Sequence, residues 1–176
     1  MLLAYNELME LIQEKKLIEN LGSLDQVNGT SVDIRLGPTF MVEKGSNKLT
    51  NLGEGEVIEL QELVGSVHLS PGRFVLAHTM EKFNLPNNIS AHFHMKSSVA
   101  RNGVSHMMAG HCNPGWSNST LTLELTNATQ HSHLLLTPGM VIGQMVFYAH
   151  DPVPDHKLYS KTGRYNNDQS VSGAKS

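Results

Sequence analysis

The chain has 176 residues, 39% hydrophobic and 16% charged, the balance of one folded domain able to bury a core rather than of a disordered segment. A net charge of −3 with neutral histidines leaves no broad basic surface for nucleic acid, so any polyanionic ligand must be small and held by a few local cations. Cys112 is the only cysteine, which excludes an internal disulfide and a cysteine-rich zinc cluster.

The N-terminal segment has no signal-like pattern and no apolar run approaches membrane-spanning length, so the expected setting is cytoplasmic, with no membrane partner. Leu8, Leu11, Ile12 and Leu17, with Glu and Lys between them, predict an amphipathic helix over 5–18, ended near Asn20 and Gly22. After Gly29 the texture changes to short alternating or β-branched runs between Gly, Pro, Asn and Ser. These are SVDIRLG (31–37), TFMVEK (39–44), EVIEL (56–60), RFVLAHT (73–79), ISAHFHM (89–95), STLTLELT (119–126), HSHLLL (131–136) and MVIGQMVFYA (140–149). Strands of this length and spacing predict an all-β sandwich or barrel. LSPGRFVLA (69–77) and LTPGMVIGQ (136–144) repeat a Pro-Gly strand-entry turn, in which Pro fixes φ and Gly accepts a positive one. From about Asp151 the chain is polar and poorly patterned, which predicts fraying. Its Lys157, Lys161, Arg164 and Lys175 are nonetheless cations that an anionic ligand would need.

In LTLELT (121–126), Leu121, Leu123 and Leu125 share one strand face, and Thr122, Glu124 and Thr126 the other. Glu124 is either the wet face of an ordinary strand or a carboxylate held in a pocket, and alternation alone favours the first. His92 and His94 share a strand face, and His106, His111 and Cys112 follow, but nothing in the spacing makes them converge on a metal. The H-x-E and P-C-x-x-C pair of the zinc nucleobase deaminases is missing. MKSSVARNGV (95–104) sets Ser97 and Ser98 between Lys96 and Arg101, either a phosphate cradle or a polar turn. No Gly-x-Ser-x-Gly accompanies these serines. HCNPGW (111–116) reads as a tight turn, and GRYNNDQS (163–170) as an end that either closes over a ligand or hangs free.

Taken in order, six phrases carry a resemblance: SVDIRLG (31–37), LSPGRFVLAHT with NLPNNISA (69–91), KSSVARNGV (96–104), NPGWSNSTLTLELTN (113–127), LTPGMVIGQMVFY (136–148) and GRYNNDQ (163–169). Together they resemble the deoxycytidine triphosphate deaminases, which share a fold with the trimeric dUTPases, and they span nearly the whole chain in that family's order. The resemblance implies one all-β domain over 1–176, a distorted β-barrel or jelly-roll of the dUTPase-like type. A short N-terminal helix and a flexible C-terminal tail from about 151 complete it. It further implies a homotrimer, or a hexamer, with sites between subunits. The implied reaction is zinc-independent hydrolytic deamination of dCTP to dUTP and ammonia, with Mg²⁺ bound only through the triphosphate and dTTP as a feedback inhibitor.

Residue roles carry over position by position. Glu124 matches the carboxylate that activates the attacking water. Ser97 and Arg101 match the pair that helps to hold the water and the cytosine amino group. Lys96 and Ser98 match further triphosphate and pocket contacts, while Thr122 and Leu123 match the strand lining the pyrimidine. Tyr159, Arg164 and Gln169 match the segment that folds over the triphosphate. Attack at C4 needs a base that takes a proton from water and returns it to the departing amine, which one carboxylate can do; Arg101 would offset developing negative charge.

Some positions depart from the family's pattern. Asn113 stands where the family usually has Asp. An amide can bond a sugar hydroxyl but cannot activate a water against phosphate, so a dUTP pyrophosphatase activity is disfavoured. Met95 replaces a frequent Gly. The stretch between Arg101 and Glu124 carries compensating length changes that fall in the hairpin holding His111 and Cys112. This suggests either tolerance for a C5-modified cytosine nucleotide or a non-catalytic nucleotide-binding homologue. Asp168 stands where an ungapped alignment would put Gln169 of the tail.

Overall fold

The structure, a computed structural model, describes residues 1–45 and 48–175. Helix α1 (Tyr5–Lys15) buries Leu8 and Ile12. It stops earlier than the spacing predicts because Lys15 and Lys16 interrupt its apolar stripe. Lys16 turns left-handed at φ 52°, and the Leu17 N–H donates to the Leu11 carbonyl, a helix-ending bond. No described helix is long and apolar enough to cross a membrane.

Strands follow as β1 (Ile18–Glu19), β2 (Val32–Arg35), β3 (Thr39–Glu43), β4 (Leu60–Val64), β5 (Val67–Leu69), β6 (Phe74–His78), β7 (Lys82–Phe83) and β8 (Ile89–Met95). After the helical turn α2 (Ser97–Ala100) come β9 (Val104–His106), β10 (His111–Cys112), β11 (Thr122–Asn127), β12 (Leu134–Leu136) and β13 (Val141–Ala149), then a last turn α3 (Tyr159–Thr162).

Two antiparallel sheets, ordered β10-β8-β13-β2 and β4-β3-β6-β11-β9, carry the architecture, with the pairs β1-β7 and β12-β5 beside them. The fold is mostly β, and the two sheets stay separate rather than closing one ring of strands. Between them lies a single core in which Ile34 and Phe147 of one sheet meet Phe40, Val75, Leu123 and Leu125 of the other, all fully buried. The alternation of β2 shows how the sequence builds this. Val32 and Ile34 point inward, while Asp33 pairs with Lys96 at 2.6 Å and Arg35 with Glu81 at 2.7 Å.

Two predicted elements come out differently. EVIEL (56–60) is not a strand: β3 ends opposite Leu60, so pairing with β4 begins there and Val57 and Ile58 run as irregular, exposed backbone. The polar segment after Asp151, predicted to fray, turns back across the body. The Trp116 Nε1–H donates to the Tyr165 carbonyl at 2.9 Å, the Thr120 N–H donates to the Asp168 carbonyl at 2.8 Å, and Val171 is buried. A side-chain and a backbone donor of the body thus find partners in the tail.

Candidate active site

β11 lies between β6 and β9, and its alternation fixes the site. Leu123 and Leu125 are fully buried in the core, which turns Thr122 and Glu124 to the other face. That face does not look out onto open solvent. A cavity of about 680 Å³ opens over it, a volume suited to a small ligand. Met41, Ile58, Leu76, Asn113, Trp116 and Tyr159 are among the residues that line it. Trp116 is braced by Phe83, stacked at 5.5 Å between ring centroids. Asn113 sits on a turn closed by the Trp116 N–H donating to the Asn113 carbonyl at 3.2 Å and made by Gly115 at φ 82°. Glu124 is therefore a pocket carboxylate.

Glu124 has a close polar neighbour in His106. Its Oε2 lies 3.1 Å from Nε2 of His106, whose side chain is 5% exposed. The two atoms are not aligned as a hydrogen bond, and neither has another hydrogen-bond partner among the described residues. Among the described residues Asp168 is the other carboxylate of the cavity; it pairs with Lys175 at 2.5 Å and accepts from the Ser172 hydroxyl at 2.9 Å. Burial raises the Tyr159 phenol above its ordinary value. Burial also pushes the Cys112 thiol up to about 12, so this cysteine is a packing residue rather than a nucleophile.

Of the residues expected to act together, the cavity gathers Asn113, Thr122, Glu124 and Tyr159. Leu123 contributes its side chain to the core instead. Lys96, Ser97, Ser98 and Arg101 do not line the cavity. Lys96 is held by Asp33, and Ser97, Ser98 and Arg101 lie exposed around α2. Arg164 donates to the Lys175 carbonyl at 3.0 Å. Gln169 turns away to Lys82 and the Asn118 carbonyl, so Asp168, not Gln169, faces the cavity. The Thr122 hydroxyl accepts from the Ser172 N–H at 3.3 Å.

Sequence reasoning weighed His106 only as a possible metal ligand and missed its place beside Glu124, and it missed the wall of Met41 and Ile58. The Val-Ser-His alternation of β9 carried a signal for the first, since Val104 and His106 are buried and Ser105 is exposed. His92, His94 and His111 do gather on one sheet face, with ring centroids 5.0 and 5.9 Å apart. Burial first, then the neighbouring histidines, hold the His92 imidazole below its ordinary value. Even so, no group of three or more His, Cys, Asp or Glu able to hold a metal is found among the described residues.

The fold is that of the 2'-deoxycytidine 5'-triphosphate deaminase from Agrobacterium tumefaciens, with a TM-score of 0.66 at 21% identity over 85% of this chain and 48% of that one. This chain thus spans about half of that solved structure. A family model described as dCTP deaminase-like matches residues 2–150. The chain belongs to the dCTP deaminase-like family. A relative from Nanoarchaeum equitans, named dCTP deaminase, dUMP-forming, is 32% identical over 195 residues, covering 99% of this chain and 96% of the relative. One of the same name from Dictyoglomus turgidum is 30% identical over 187 residues, covering 99% and 94%. These relatives are enzymes named for dUMP, which runs against the expectation that the product is dUTP.

Proposed function

We propose that this chain deaminates dCTP hydrolytically, with Glu124 as the base that activates water and no zinc in the reaction. The observation that carries this reading is the Glu124 carboxylate, set on a rigid strand inside a cavity whose wall is largely apolar. Glu124 takes a proton from water as the oxygen attacks C4, then delivers it to the amine that leaves as ammonia. Thr122 lines the pyrimidine, Asn113 bonds a sugar hydroxyl, and Tyr159 packs at the cavity edge.

Among the described residues no Lys or Arg lines the cavity, so a triphosphate held there needs cations from elsewhere. Ser97, Ser98 and Arg101 are exposed, and we assign them to the site of a neighbouring copy in a homotrimer, with Arg101 offsetting charge on the attacked ring. Lys96, held by Asp33, would position that segment. Mg²⁺ arrives with the phosphates, whose hard oxygens it prefers. Arg164 and Gln169 belong to the tail over the triphosphate, dTTP is the proposed feedback ligand, and the proposed setting is cytoplasmic. The relatives' names make dUMP the proposed end product. Asn113 cannot be the base of that second hydrolysis, which leaves Asp168 as the cavity's other carboxylate.

Incubation with dCTP and Mg²⁺, followed by chromatography of the nucleotides, tests this, with a parallel dUTP reaction and a zinc-chelator control. The expected result is loss of dCTP with dUMP formed and the chelator without effect. Accumulation of dUTP alone would show that Asn113 has removed the second step. Inertness towards dCTP would overturn the reading, in favour of a C5-methylated or hydroxymethylated substrate if those are consumed and of a non-catalytic nucleotide-binding protein if they are not.

A further inference from the structure

His106 is a histidine where an ordinary core strand would carry an aliphatic side chain. It sits on β9 directly opposite Leu125 of β11, and the next residue, Met107, donates its N–H to the Glu124 carbonyl at 3.0 Å. The backbones are thereby locked together at the position of the carboxylate. The ring meets Phe93 edge-on, with centroids 5.1 Å apart at 66°, so packing fixes its orientation. Its Nε2 then ends 3.1 Å from Glu124 Oε2. Both atoms are buried and otherwise unpartnered among the described residues, and buried polar groups without partners are rare because they lose their hydration uncompensated.

We infer that His106 is a positioning residue for Glu124: its Nε2–H donates to Oε2 and leaves Oε1 directed at the cavity, where the attacking water must sit. This rests on the deamination reading. A carboxylate on a flexible side chain has many rotamers, and only a narrow set places an oxygen within reach of water at C4; a misplacement of an ångström costs on the order of 100-fold. The imidazole removes that freedom without touching substrate.

The test uses two variants of the full chain with dCTP. His106→Phe keeps the ring shape and the Phe93 contact but has no donor; His106→Gln keeps a donor. The expected result is a kcat lower by roughly 100-fold for His106→Phe, with KM within about twofold, an altered pH profile of kcat, and substantial rescue in His106→Gln. Wild-type kcat and pH profile in His106→Phe, with Glu124→Gln inactive, would overturn the positioning role and leave the deamination reading intact. Independently of turnover, ¹⁵N NMR of the imidazoles reads the pairing. Glu124→Ala should displace the His106 Nε2 resonance far more than Nδ1, and equal or absent displacement would overturn the pairing even if His106→Phe fails to fold or dCTP is not a substrate.

Discussion

His78 shows what one buried residue does to stability. Its Nδ1 is placed to donate to the Thr79 carbonyl at 3.0 Å, while Nε2 has no partner among the described residues. Burial holds this imidazole below its ordinary value of 6.5, against the opposing pull of the Thr79 carbonyl, because a second N–H would have nowhere to donate. The unfolded chain therefore binds the proton more readily than the folded one. This stability is fully present above pH 6.5 and is lost as pH falls below it towards the folded value; His92 has the same sign. The thermal midpoint should be lower at pH 5 than at pH 7, and the difference should shrink in His78→Gln. A midpoint that rises on acidification would contradict this. At the same scale, Glu124 could be read from the sequence only as an alternation. Spacing says which way a strand residue points, and not whether Met41, Ile58 and the tail will enclose that face. The family phrases decided the matter. Those phrases could not show that Lys96 is engaged by Asp33, a residue 63 positions away.

Among elements, β13 carries the tightest constraint. Its register shifts between Val141 and Gly143, and a Cβ at Gly143 would lie 2.6 Å from the His94 carbonyl oxygen and closer still to the Phe93 ring. Both belong to the adjacent β8 and neither can withdraw without opening the sheet. Gly143→Ala should lower unfolding free energy by about 1–3 kcal/mol, read as a lower urea midpoint. Gly29→Ala, with nothing within 4 Å of its Cβ, should change it little. Equal effects would refute the packing argument. The long strands were legible because β8, β11 and β13 alternate over enough residues to show a period. Two-residue pieces such as β1, β7 and β10 hold no period and exist only through their partners. EVIEL misled because pairing, not propensity, decides where β4 begins.

At the scale of the whole molecule, the cavity holds a carboxylate, an apolar wall and a tail, while the exposed hydroxyls and Arg101 lie elsewhere on the chain. On the proposed reading a site divided in this way is completed between copies, which makes assembly part of the proposed mechanism. It also explains why the sequence, which gathers every site residue into one string, could not show which of them meet within one chain. Ammonia release from dCTP by Glu124→Gln, by Arg101→Ala and by a refolded equal mixture of the two tests the central claim most directly, with nucleotide binding measured alongside. Each variant alone should be inactive, with Glu124→Gln still binding nucleotide. The mixture should recover activity at roughly a quarter of its sites, the share in which an intact Glu124 faces an intact Arg101 across a random subunit boundary. Ammonia release by Glu124→Gln at the wild-type rate would contradict the account at its centre.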